Sequence, residues 1–217
     1  QVIGTHNSYH RRTNVPAVGG YWNYHYPSLT AQLDAGIRHL ELDVHYDLKT
    51  GRWFVFHLAV LDSMSSCNCL SVCLEEIKAW SDVHLAHHIL FIEIELKVYG
   101  DFLRICGDKT PDTDRSAFLM LQRTVLDVFP RSRILTPREV RGDFETLTQA
   151  VRATTVTGGG GVGGGVDVGG LELGLGPGPG TAAVAGGWPL VDATRGMALF
   201  VIDYQSQNFA CRTAVRK

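Results

Sequence analysis

Residues 39–45 read HLELDVH and residues 91–97 read FIEIELK, and these two stretches do most to constrain the fold. Alternation with period two marks β-strands, whose successive side chains point to opposite faces. In the first stretch His39, Glu41, Asp43 and His45 share one face, and Leu40, Leu42 and Val44 the other. In the second, Phe91, Glu93, Glu95 and Lys97 lie opposite Leu90, Ile92, Ile94 and Leu96. The aliphatic faces need helices packed over them. The acidic faces are costly to bury unpaired. Either they meet water, as in an ordinary antiparallel sheet, or they line a functional interior.

The segments between these strands read as helices. Ser28 is placed to cap a helix carrying Leu29 and Leu33 that stops at Gly36. Leu70, Cys73, Leu74, Ile77 and Trp80 fall on one helical face; Phe118, Leu121, Val125 and Phe129 fall on another, and 146–152 forms a short helix. Strand candidates are 2–5, 37–45, 53–57, 89–97, 133–137 and 198–203, the second and third joined by a turn at Lys49-Thr50-Gly51. Strands separated by helices imply parallel βαβ units, hence a doubly wound sheet or a (β/α) barrel. A complete eight-stranded barrel typically takes about 250 residues, and this chain has 217.

Composition narrows the function classes. With 45% hydrophobic residues the chain can bury one sizeable core. A net charge of -2 argues against a nucleic-acid partner, which needs a basic stripe. No apolar run is long enough for a transmembrane helix. The chain opens at Gln1 without an initiator Met, as a processed form or an excised piece would. Of five cysteines, Cys67, Cys69 and Cys73 lie together without the second ligand pair of a zinc site. They are read as one local disulfide or as buried thiols. An oxidising compartment is compatible with either, leaving a secreted or a membrane-peripheral location open. Residues 158–187 include 15 glycines, lack the GxxxxGK[ST] phosphate loop, and read as a flexible insert.

Polar groups recur where the first four strand candidates end. His6 and Asn7 end the first, Glu41 and Asp43 the second, His57 the third, Glu95 and Lys97 the fourth. Enzymes on parallel barrels carry their chemistry at that end of the strands. An amide oxygen and three carboxylates are hard ligands, suited to Ca²⁺ or Mg²⁺. Glu41 and Asp43 stand about 7 Å apart along a strand, within reach of one ion. Two histidines can act as general acid and base, and a lysine offsets charge on a bound phosphate. Metal, acid/base pair and cation together fit phosphodiester cleavage.

The same stretches carry a resemblance. GTHNSYH, QLDAGIRHLELDVH, FHLAVLDSMSSC, CLEEIKAWSDVH and FIEIELK are similar to the calcium-dependent phosphoinositide-specific phospholipase C family, and more broadly to the PLC-like phosphodiesterase superfamily. ILTP at 134–137 and GWPLVDATRGMALFVID at 187–203 continue it. The resemblance implies an α/β fold, a TIM-type (β/α) barrel. With about six of its eight strands present, the chain is expected to be a single, C-terminally truncated catalytic domain over 1–217 with the insert at 158–187 inside it. It implies His6 and His57 as the acid/base pair, and Asn7, Glu41, Asp43 and Glu95 as Ca²⁺ ligands, with Mg²⁺ and Glu93 the lesser alternatives. Lys97 would bind substrate phosphate, and His10 and His45 would support the site. The implied substrate is phosphatidylinositol at a membrane surface, cleaved to diacylglycerol and an inositol cyclic phosphate. A glycerophosphodiester phosphodiesterase and a non-catalytic truncated paralogue are the alternatives. No oligomeric state is read from the sequence.

Overall fold

The structure, a computed structural model, describes residues 2–13, 20, 22–47, 49–97, 115–157 and 188–203. The glycine-rich stretch expected as an insert at 158–187 lies outside the described residues. The chain forms two compact units, Gln1–Ile134 with Gly196–Lys217, and Leu135–Arg195.

The first unit is an α/β sheet covered by helices. Strand β1 (Gly4–Thr5) pairs in parallel with β2 (His39–Asp47), β2 with β4 (Leu90–Leu96), and β4 with β5 (Ala198–Asp203). β3 (Arg52–Val55) pairs with the far end of β2 and is bridged at Phe54 to Cys69. Helix α1 (Leu29–Asp34) starts at Ser28, whose hydroxyl accepts from the Ala31 N–H. The expected face of α2 (Leu70–Val83) is the buried one, and α3 (Arg115–Val128) follows β4. Leu40, Leu42, Val44, Leu90, Ile92, Ile94 and Leu96 join Leu29, Leu33, Leu74, Ile77 and Leu121 in one core. Burying the aliphatic face commits the acidic face to the opposite side.

Two sequence expectations change. The strand at 133–137 shrinks to a single parallel bridge, Ile134 to Ala198, leaving five named strands among the described residues. The local chemistry explains this. Arg131–Arg133 form a 3₁₀ turn, and Thr136 with Glu139 makes a capping box that starts α4 (Pro137–Arg141) at once. Too little extended chain remains between them for a ladder. β3 also runs antiparallel to β2 as a hairpin, with Val44 opposite Val55 and Asp47 opposite Arg52. Among the described residues the sheet is open rather than closed into a barrel, and Val201 and Ile202 of β5 are exposed.

Two local features hold the site's loops. A Cβ on Gly4 would lie 2.8 Å from the His39 Cβ, so only glycine lets β1 approach β2 here. Cys67 and Cys73 form a disulfide that ties the loop after β3 to the first turn of α2, and Cys69 is a free thiol. The second unit contains α4 and α5 (Leu147–Thr157), with Val140 and Ala150 buried.

Candidate active site

Parallel register sets Asp43 opposite Glu95, one layer above Glu41 opposite Glu93. Glu41, Asp43 and Glu95 each offer a carboxylate oxygen, and these oxygens lie within 4.8 Å of one another. All three residues are buried, Asp43 to 1% exposure. Lys97, just past the end of β4, donates to Glu95 Oε1 at 2.6 Å and lies 3.2 Å from Asp43 Oδ2. Glu93 is engaged elsewhere, 2.8 Å from the His39 ring.

Three carboxylates around one ammonium leave the cluster short of positive charge. Burial pushes the Asp43 carboxyl up to about 8, against the pull of Lys97 and with the help of Glu95 and Glu41. Burial likewise raises Glu41, opposed by the Asn7 backbone N–H. Burial also raises Glu95, but the hydrogen bond and positive charge of Lys97, together with hydrogen bonding to Asp43 and Glu41, outweigh this and hold it below the usual range. Burial lowers Lys97, and Asp43 and Glu95 outweigh that to hold it above.

Asp43 Oδ1 is buried with no hydrogen-bond partner among the described residues. A buried carboxylate oxygen is costly to leave unmatched. An all-oxygen donor set containing such an atom fits a hard divalent cation. The residues present therefore suit the metal that the sequence implies.

The loop after β1 completes this side. Asn7 has φ 53°, a left-handed conformation that asparagine tolerates. Its backbone N–H donates to Glu41 Oε2 at 3.0 Å, and Ser8 exchanges two bonds with the Glu41 backbone at 3.0 and 2.9 Å. The Tyr9 hydroxyl donates to Asn7 Oδ1, and the Asn7 amide donates to the Tyr24 hydroxyl. The amide oxygen keeps a second lone pair. The His6 side chain is 74% exposed, with Nε2 3.6 Å from Glu41 Oε2.

The hairpin brings His57 back to the same end of the sheet. β2 pairs with β4 only as far as Val44, then runs on to Asp47 with β3 alone. β3 returns antiparallel, so residues 56–57 come back towards the level of Val44. His45 secures the return: its ring N–H donates to Phe56 O at 2.9 Å and stacks on the Phe56 ring. Burial holds the His45 pKa down at about 4, so the ring is neutral. His57 Nδ1 donates to Asp62 at 2.8 Å, and the Trp22 ring lies edge-on 5.6 Å away. Burial lowers the His57 pKa, against the upward pull of Asp62.

Asp62, Tyr9 and Tyr24 were not singled out by sequence reasoning. Asp62 lies in a loop without period, and Tyr9 and Tyr24 sit in loops where aromatics carry no pattern. The GTHNSYH stretch contained Tyr9, and its burial beside Asn7 was the missing information.

The chain matches the profile of the family described as Ca2+-dependent phosphoinositide phospholipase C over residues 1–54 and 54–156. Solved structures of low sequence identity share its fold. A calcium-dependent phosphoinositol-specific phospholipase C from Pseudomonas sp, in its myoinositol complex, is 18% identical with a TM-score of 0.52, covering 100% of this chain and 62% of that one. A Ca²⁺-dependent phosphatidylinositol-specific phospholipase C from Streptomyces antibioticus is 20% identical with a TM-score of 0.54, covering 93% and 51%. The phosphatidylinositol-specific phospholipase C from Listeria monocytogenes is 14% identical with a TM-score of 0.50, covering 94% and 50%. The chain thus spans about half to three fifths of the length of these structures. No curated protein sequence matches it. Both strands of the carboxylate cluster, both histidine loops and the hairpin fall within the matched residues, and the chain belongs to the calcium-dependent phosphoinositide phospholipase C family.

Proposed function

We propose that the carboxylate mouth is a calcium-dependent phosphodiesterase site that cleaves phosphatidylinositol to diacylglycerol and an inositol cyclic phosphate. The convergence of Glu41, Asp43 and Glu95 around an unmatched buried oxygen, in a member of this family, carries the reading. Asn7, Glu41, Asp43 and Glu95 would hold the ion. Bound there, Ca²⁺ would supply Lewis acidity to the attacking hydroxyl and offset charge on the phosphorane.

The chain's own groups divide the remaining work. In the implied reaction the inositol 2-hydroxyl oxygen bonds to its own phosphorus, and the bond to the diacylglycerol oxygen breaks. One of His6 and His57 takes the hydroxyl proton, and the other returns a proton to the leaving oxygen. Lys97 would turn from its carboxylates towards the phosphate. Tyr9 and Tyr24 keep the Asn7 amide oriented, and His45 keeps residues 56–57 in place. No helix among the described residues is long and apolar enough to cross a membrane. As a substrate, phosphatidylinositol would be met at a membrane surface.

Product identity tests the substrate class. With phosphatidylinositol vesicles and calcium, the expected first product is a cyclic inositol phosphate. Preferential release of glycerol phosphate from glycerophosphodiesters would instead assign the site to the other branch of the superfamily.

A further inference from the structure

His57 does not stand alone. Its Nδ1 lies 2.8 Å from Asp62 Oδ2, and His10 Nε2 lies 2.9 Å from each oxygen of the same carboxylate. Asp62 and His10 are both fully buried, although they are 52 residues apart in sequence. We propose that Asp62 is a positioning residue, held by His10, that fixes His57 with its proton on Nδ1 and leaves Nε2 as the working nitrogen. This rests on the reading of His57 as a proton-transfer group.

Three observations carry it. The loop from His57 to Asp62 is closed by reciprocal backbone bonds, Leu58 N–H to Asp62 O and Asp62 N–H to Leu58 O, each 3.0 Å. The carboxylate is therefore presented to the His57 ring by local backbone geometry, not by a mobile side chain reaching across the site. His10 then locks the far side. Its Nε2–H donates to Asp62, its Nδ1 lies 3.1 Å from Tyr24 O, and the Tyr24 ring stacks on it at 4.1 Å. Both His10 nitrogens face acceptors, so His10 serves as a clamp and not as a second base.

The third observation concerns His57 itself. A carboxylate only accepts, so the nitrogen facing Asp62 must carry the proton. Nε2 makes no hydrogen bond to any described residue, and the His57 side chain is 19% exposed. A free neutral imidazole favours the opposite arrangement, with the proton on Nε2. Asp62 reverses that preference and so decides which nitrogen can exchange a proton with substrate.

Long-range ¹H–¹⁵N NMR of the intact chain reads this directly, with His57 assigned by the signal lost in His57→Gln. The expected wild-type spectrum shows neutral His57 protonated at Nδ1, and Asp62→Asn shifts it towards Nε2–H. The same variant is expected to lower kcat on phosphatidylinositol about 100-fold, with KM and the thermal shift on adding calcium little changed. A wild-type His57 protonated at Nε2, or an Asp62→Asn variant with full kcat, overturns the proposal. Should Asp62→Asn not fold, the wild-type spectrum alone decides. A wild type with the Nδ1–H form but no turnover upholds the hold of Asp62 on the ring and overturns the proposed function.

Discussion

Asp43→Asn is expected to remove the response to calcium while making the calcium-free protein more stable. The two effects have one cause. Asp43 sits between Glu41 and Glu95, buried, with one oxygen unmatched and only Lys97 to balance three carboxylates. Burying this carboxyl costs either an excess negative charge or a proton taken up on folding; asparagine brings neither, and leaves Lys97 with Glu95. It also removes the central ligand. For the wild type, calcium at about a hundredfold above its Kd stabilises by about 2.7 kcal/mol. In a domain of this size that is roughly 5–10 °C in Tm. The variant is expected to start higher in a thermal melt with chelator and to gain little from calcium. A variant that gains as much as the wild type would place the ion elsewhere.

The same charge excess gives the chelated wild type a pH dependence. The folded chain keeps a proton on Asp43 that the unfolded chain releases above the ordinary 3.8, because burial and two neighbouring carboxylates push the folded value to about 8. Between those values the folded state binds more protons, so the contribution of Asp43 to stability falls as pH rises through that window. Asp43→Asn is expected to flatten that slope.

His6→Ala is expected to lower turnover about 10²–10⁴-fold, the range for a lost general acid or base. It should leave stability within about 0.5 kcal/mol, as for an ordinary exposed substitution. His6 is the most exposed of the proposed site residues, so a large kinetic effect with an unchanged melt separates chemistry from folding. Near-normal rates in the variant would remove His6 from the proton transfers.

The strands HLELDVH and FIEIELK were legible because alternation encodes both faces at once, and burial of the aliphatic face fixes where Glu41, Asp43 and Glu95 go. Their convergence followed from parallel register. What surrounds them was less legible. The turn at 49–51 was visible, but nothing in WFVFH showed that the strand returns antiparallel and carries His57 back. The Asp62 link to His10 joins residues far apart in sequence and leaves no periodic trace. The strand expected at 133–137 failed because Thr136 and Pro137 form a strong helix start, and capping overrode an apolar pair too short for a ladder. The cysteine cluster suggested a local disulfide without naming the pair, which geometry resolves as Cys67 with Cys73.

The most direct measurement is turnover of phosphatidylinositol vesicles by the wild-type chain across a calcium titration, with Asp43→Asn alongside. The expected result is release of inositol cyclic phosphate that rises and saturates with calcium, vanishes with chelator, and is absent in the variant. A well-folded wild type with no turnover at any calcium concentration, or turnover indifferent to chelator, would contradict a calcium-dependent phosphodiesterase site at Glu41, Asp43 and Glu95.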